Sequence, residues 1–142
     1  MPNIKHQLTI NVPASKVYKA VTETAGLKGW WTDGASAKPE LGSIAVFDFG
    51  NRYHNEMRIK ELDPDKKVSW LCEKGDKEWV GTGMVFSLDE RNGKTVLTFE
   101  HKDWKEATDF FASCNYNWGW YLTSLKDYCE KGEGRPFSQS TE

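Results

Sequence analysis

KTVLTFEHKDWKEATDFFASCNYNWGWYLTSLKDYCEK, from Lys94 to Lys131, decides the fold, because the period of its apolar residues changes once within it. In its first part Thr95, Leu97, Phe99 and His101 occupy every second position, the repeat of a half-buried strand. Further on, Phe111, Cys114, Trp118, Tyr121, Leu122, Leu125 and Cys129 recur at three- and four-residue steps. They form one continuous stripe on a helix expected from Ala107 to Lys131, and Gly132 supplies its stop. At 1.5 Å per residue such a helix is about 37 Å long, enough to cross a whole small sheet.

Upstream, the chain supplies that sheet. Ile4, His6, Leu8, Ile10 and Val12 alternate with polar residues as a first strand, closed by Pro13. Val17, Tyr18, Ala20 and Val21 have helical spacing, Gly26 is expected to interrupt that helix, and Leu27, Trp30 and Trp31 suggest a brief second one. Strands are then expected at Ile44–Phe49, Tyr53–Leu62, Lys67–Glu73 and Glu78–Leu88. Tyr53, Asn55, Met57 and Ile59 share one face, as do Val68, Trp70 and Cys72, and Val80, Thr82, Met84, Phe86 and Leu88. Gly50-Asn51, Asp63-Pro64-Asp65, Gly75-Asp76 and Asn92-Gly93 mark short turns, so the strands form an antiparallel meander. The predicted fold is α+β of the helix-grip type: a curved antiparallel sheet around a long C-terminal helix, with two short helices after the first strand. One domain is expected over residues 1–137. The polar stretch from Glu133 is expected to be loose, ending in a flexible tail over 138–142.

Composition narrows the function classes. A chain of 142 residues can bury a sizeable core without metal or disulfide staples. Net charge is −2, and Lys66-Lys67 and Lys102 to Lys105 are short runs, the second mixed with Asp103, so no nucleic-acid role is expected. No apolar run reaches the length of a membrane span, and no leader pattern opens the chain, so a cytoplasmic location is expected. Cys72, Cys114 and Cys129 are odd in number and lack metal-site spacing; reduced core thiols are expected, with no metal and no cofactor.

Several segments, in order, resemble one family. Val12-Pro13 followed by Val17-Tyr18-Lys19-Ala20-Val21 is similar to the opening of Aha1-like (activator of Hsp90 ATPase homologue) domains, a branch of the START/Bet v 1 superfamily. Trp30-Trp31 resembles their tryptophan pair, and Asp63-Pro64 with Val68-Ser69-Trp70 their Pro-then-strand segment. Residues 95–101, Trp118-Gly119-Trp120 and residues 132–137 resemble their last strand, final helix and ending. Leu41-Gly42-Ser43 departs from the usual Gly-Gly before the second strand. The resemblance implies a helix-grip fold with a cavity between sheet and long helix. Its members range from lipid carriers to cyclases and chaperone activators, so function does not transfer with the fold.

The chain carries 7 Trp, 7 Phe and 5 Tyr, enough to fill a thick core or to wall a cavity for flat apolar ligands. Trp30, Trp31, Met57, Trp70, Met84, Phe86, Phe99, His101, Phe111, Trp118 and Tyr121 are the candidate cavity residues. His101, inward by parity, either orients a ligand or acts as a base, or is satisfied by a backbone carbonyl at the strand end. No catalytic set is expected. A small-molecule binding protein for a lipid-like or aromatic ligand leads; a chaperone-ATPase partner and a cyclase- or hydratase-type enzyme using His101 are the alternatives. An exposed edge of the Trp30-Trp31 pair would favour a homodimer.

Overall fold

The computed structural model describes residues 1–138. The elements follow in the order β1 (Ile4–Ile10), α1 (Ala14–Thr22), α2 (Thr24–Trp30), β2 (Gly34–Ser36), β3 (Ile44–Phe49), β4 (Tyr53–Asp63), β5 (Lys67–Lys74), β6 (Gly83–Arg91), β7 (Lys94–Lys102) and α3 (Asp109–Lys131). The strands form one antiparallel sheet in the order β1-β7-β6-β5-β4-β3-β2. Two register shifts in β4, at Glu56/Met57 and Ile59/Glu61, bend it as bulges do. At the β6–β7 hairpin, Asn92 (φ 55°) and Gly93 (φ 78°) both take positive φ, matching the twist of the flanking strands.

The two-residue period puts the large side chains of adjacent strands side by side on the inner face. Trp70 faces Met84, Phe86 faces Phe99, and Met84 faces His101. Onto this face α3 lays Cys114, Trp118, Leu122, Leu125 and Cys129, all buried. The start of α3 is set by Thr108, whose hydroxyl accepts from the Phe111 N–H at 3.2 Å. Gly132, at φ 81°, ends the helix as its position suggested.

Four local expectations are corrected. The break between the short helices falls at Glu23, not Gly26, because Glu23 is extended (φ −103°, ψ 145°). Gly26 lies inside α2, where a Cβ would stand 2.6 Å from the Ala20 Cα, so it permits close packing on α1. The strand expected from Glu78 begins only at Gly83; residues 76–82 turn on themselves, with Val80 N–H bonded to Asp76 O and Thr82 N–H to Trp79 O. Val80 is consequently exposed. A short edge strand, β2, begins at Gly34, where only a break was expected.

The stretch after Gly132 is also not loose through Phe137. Phe137 N–H donates to Trp31 O (2.8 Å), and Phe137 O accepts from Asp33 N–H (3.0 Å). The buried Ser124 hydroxyl accepts from Arg135 N–H (2.6 Å) and donates to Trp30 O (2.8 Å). This strap ties α2, α3 and the chain end together. The tail expected over 138–142 lies, from residue 139 onward, outside the described residues.

A candidate ligand cavity ringed by aromatic side chains

Between α3 and the sheet, aromatic rings fill most of the space. Trp30 and Trp31 are both buried and stack at 5.8 Å. Trp31 continues into Trp118 (5.2 Å) and Trp70 (5.9 Å), and Phe99 meets Trp118 at 4.3 Å. Neither ring of the Trp30-Trp31 pair presents an exposed edge, because both lie under α3 and the strap. Trp30, Met57, Trp70, Met84, Phe86 and Phe99 pack as interior. Phe111 is half-buried, edge-on to Trp104 at 5.1 Å.

His101 is sealed. Its ring lies against Trp79 (5.0 Å) and Trp104 (4.7 Å), with Trp118 at 6.0 Å. The Thr82 hydroxyl donates to Trp79 O (2.6 Å), so it accepts from His101 Nε2–H (2.8 Å). Trp118 Nε1–H donates to His101 Nδ1 (3.1 Å). Both ring nitrogens are therefore committed in the neutral Nε2–H tautomer, and burial pushes the pKa down to about 3. A base needs a free lone pair facing substrate. His101 offers none and holds Thr82, Trp118 and the Trp79 turn in place.

Among the described residues, a cavity of about 190 Å³ remains between α3 and the sheet, where the β3–β4 turn, the residue 76–82 turn, the first half of α3 and the strap converge. Of the sequence candidates, Trp31, Trp118 and Tyr121 line it. Phe49, Trp79, Phe110, Cys114 and Phe137 complete the apolar wall; Arg52, Tyr53, Asn55, Asp76 and Asn117 bring the polar groups. Strand parity had already pointed Tyr53 and Asn55 inward. Trp79 falls in the strand expected from Glu78, on the face opposite Val80 and Thr82, but sits in a turn, and Phe137 lies in a polar tail with no periodicity. A lone large aromatic in such a segment is the signal that finds them.

Burial raises the pKa of the Tyr121 phenol above its usual value, so it is a neutral O–H at physiological pH. Burial likewise lifts the Cys114 thiol to about 11 against the lowering effect of the Trp79 indole N–H, so it is no nucleophile at neutral pH. His54 stands outside, exposed, its two nitrogens on Asp48 and Glu56; those hydrogen bonds raise its pKa. Among the described residues no three His, Cys, Asp or Glu side chains converge as a metal site. No described helix is long and apolar enough to cross a membrane.

Comparison with known proteins agrees with this architecture. The chain is similar to the protein solved in solution as the Aha1 dimer of Colwellia psychrerythraea: 38% identity, TM-score 0.86, covering 94% of this chain and 100% of that one. A Staphylococcus saprophyticus protein (18% identity, TM-score 0.80, 97% and 99% covered) and a Bacillus halodurans protein (22%, 0.74, 92% and 98%) share the fold. No curated protein matches. The family model for activator of Hsp90 ATPase homolog 1-like proteins matches residues 11–130. The chain belongs to that family, and its curved sheet gripping α3 is the family's helix-grip fold.

Proposed function

We propose that the chain binds a small, flat, apolar molecule in the cavity between α3 and the open end of the sheet. The observation that carries this reading is a space of about 190 Å³ walled by aromatic rings with a few polar groups at its rim. It is smaller than a drug-sized site of about 300 Å³ or more. A cavity of about 150 Å³ takes benzene, so one ring or two fused rings is the matching size. A hydratase- or cyclase-type reaction through His101 is disfavoured, because both its nitrogens are engaged.

Calorimetric titration with 2-naphthol tests this. Wild type binds it with a dissociation constant on the order of tens of micromolar, a strength within reach of a two-ring ligand. Asn117→Trp, at an exposed rim position, fills the mouth and abolishes binding. No binding to wild type, or equal binding to N117W, overturns the reading.

A second observation concerns assembly. Tyr116 and Trp120, one turn apart on α3, are 78% and 51% exposed, and the Arg135 guanidinium lies 5.2 Å from the Trp120 ring centroid. Because the 38% identical protein is a dimer, we propose that a second copy of this chain covers this face. Sedimentation shows a dimer that Trp120→Lys converts to monomer. A wild-type monomer at 100 μM overturns this, and stimulation of a chaperone ATPase lost in W120K would assign the face to a chaperone instead.

A further inference from the structure

The rim of the cavity contains an uncommitted cation. The chain has four arginines. Arg58 is paired with Glu73, Arg91 with Asp89 and Arg135 with Asp127. Arg52 alone has no carboxylate or hydrogen-bond acceptor on its guanidinium among the described residues, and it is the arginine that lines the cavity. Its place is fixed from the backbone: Arg52 N–H donates to Phe49 O at 3.2 Å, closing the β3–β4 turn beside Tyr53.

The other polar groups lining the cavity do not take its place. Asp76 also lines the cavity, but no ion pair joins it to Arg52. One of its carboxylate oxygens accepts Glu78 N–H at 2.8 Å, a local bond that stabilises the 76–82 turn. Asn55, Asn117 and the Tyr121 phenol are neutral. A ligand that fills the apolar interior can leave one end beside the Arg52 guanidinium, whose planar donors match a carboxylate and which no ion pair to Asp76 occupies.

We infer that the natural ligand is an anion, an aromatic or short acyl carboxylate. Its apolar body lies between Trp79, Trp118 and Phe110, and Arg52 grips its carboxylate at the mouth. The inference rests on the cavity reading above and adds the charge of the ligand to it. It also gives a direction of entry, apolar end first.

The test compares 2-naphthoate with 2-naphthamide, which share one apolar body and differ in charge, by calorimetry on the full chain. Wild type binds 2-naphthoate on the order of tenfold more tightly, the effect expected of one charge-assisted contact at a partly wet rim. Arg52→Gln brings the two compounds to parity by weakening 2-naphthoate alone, and Arg52→Lys restores part of the difference. Arg52 is an exposed turn residue, and the 2-naphthamide affinity of each variant verifies that the cavity is intact. Equal or tighter binding of 2-naphthamide to wild type, or a preference that survives R52Q, overturns the anion inference while the cavity reading stands. If neither compound binds wild type, both readings fall.

Discussion

Acidifying the protein should destabilise it through His101 before its carboxylates protonate. In the unfolded chain this imidazole takes a proton near pH 6.5, whereas burial holds it neutral in the fold until about pH 3. Between those values the unfolded state binds the extra proton, so stability falls as pH falls. Integrating across the window, the loss between pH 7 and pH 5 is about 2 kcal/mol, approaching about 1.4 kcal/mol per pH unit in its interior. His54 works in the opposite direction: its pKa is raised, so its contribution is fully present below pH 6.5 and is lost as pH rises through its folded value. It is exposed, which makes that contribution small. Urea unfolding of wild type and His101→Gln at pH 7, 6 and 5 separates the two, since His54 is common to both proteins. The wild type loses about 2 kcal/mol more than H101Q across that range. Parallel pH profiles would refute the argument that His101 is locked neutral between Thr82 and Trp118.

Three further outcomes follow from the packing. Ser124→Ala removes the hydroxyl that joins Trp30 O to Arg135 N–H; it costs about 1–3 kcal/mol in urea unfolding and speeds hydrogen exchange at Arg135 and Phe137. Gly26→Ala places a Cβ 2.6 Å from the Ala20 Cα and costs about 1–3 kcal/mol despite the gain in helix propensity, seen as a lowered thermal midpoint. Cys72, Cys114 and Cys129, raised by burial to about 11, about 11 and about 12, react with a disulfide reagent at pH 8 at least a hundredfold more slowly in the native protein than in urea.

Much of the fold was legible because long periodic segments carry their own geometry. The stripe from Cys114 to Cys129 located α3, and the alternations through Met57, Trp70, Phe86 and Phe99 located the inner face of the sheet. The illegible parts are fixed by contacts between distant segments. Gly26 reads as a breaker until Ala20 is seen against it, and β2 is too short to show a period. Phe137 has apolar character but no pattern around it, and only its bonds to Trp31 and Asp33 make it a strap.

The cavity was partly legible for the same reason. Trp31, Trp118 and Tyr121 belong to recognisable segments, and their rings do reach it. That Trp30, Trp70 and Phe99 lie beneath it in the close-packed interior depends on how the indoles stack, which the sequence does not encode locally. His101 was correctly placed on the inner face, but its chemistry depends on Thr82 and Trp118 from two other elements.

The most direct test of the cavity claim is an NMR measurement of intermolecular NOEs between the ring protons of bound 2-naphthol and the indole protons of Trp31, Trp79 and Trp118. The account expects contacts to all three, since all three line the cavity. A saturated complex whose contacts fall on Tyr116 and Trp120, with none to those three indoles, would contradict it.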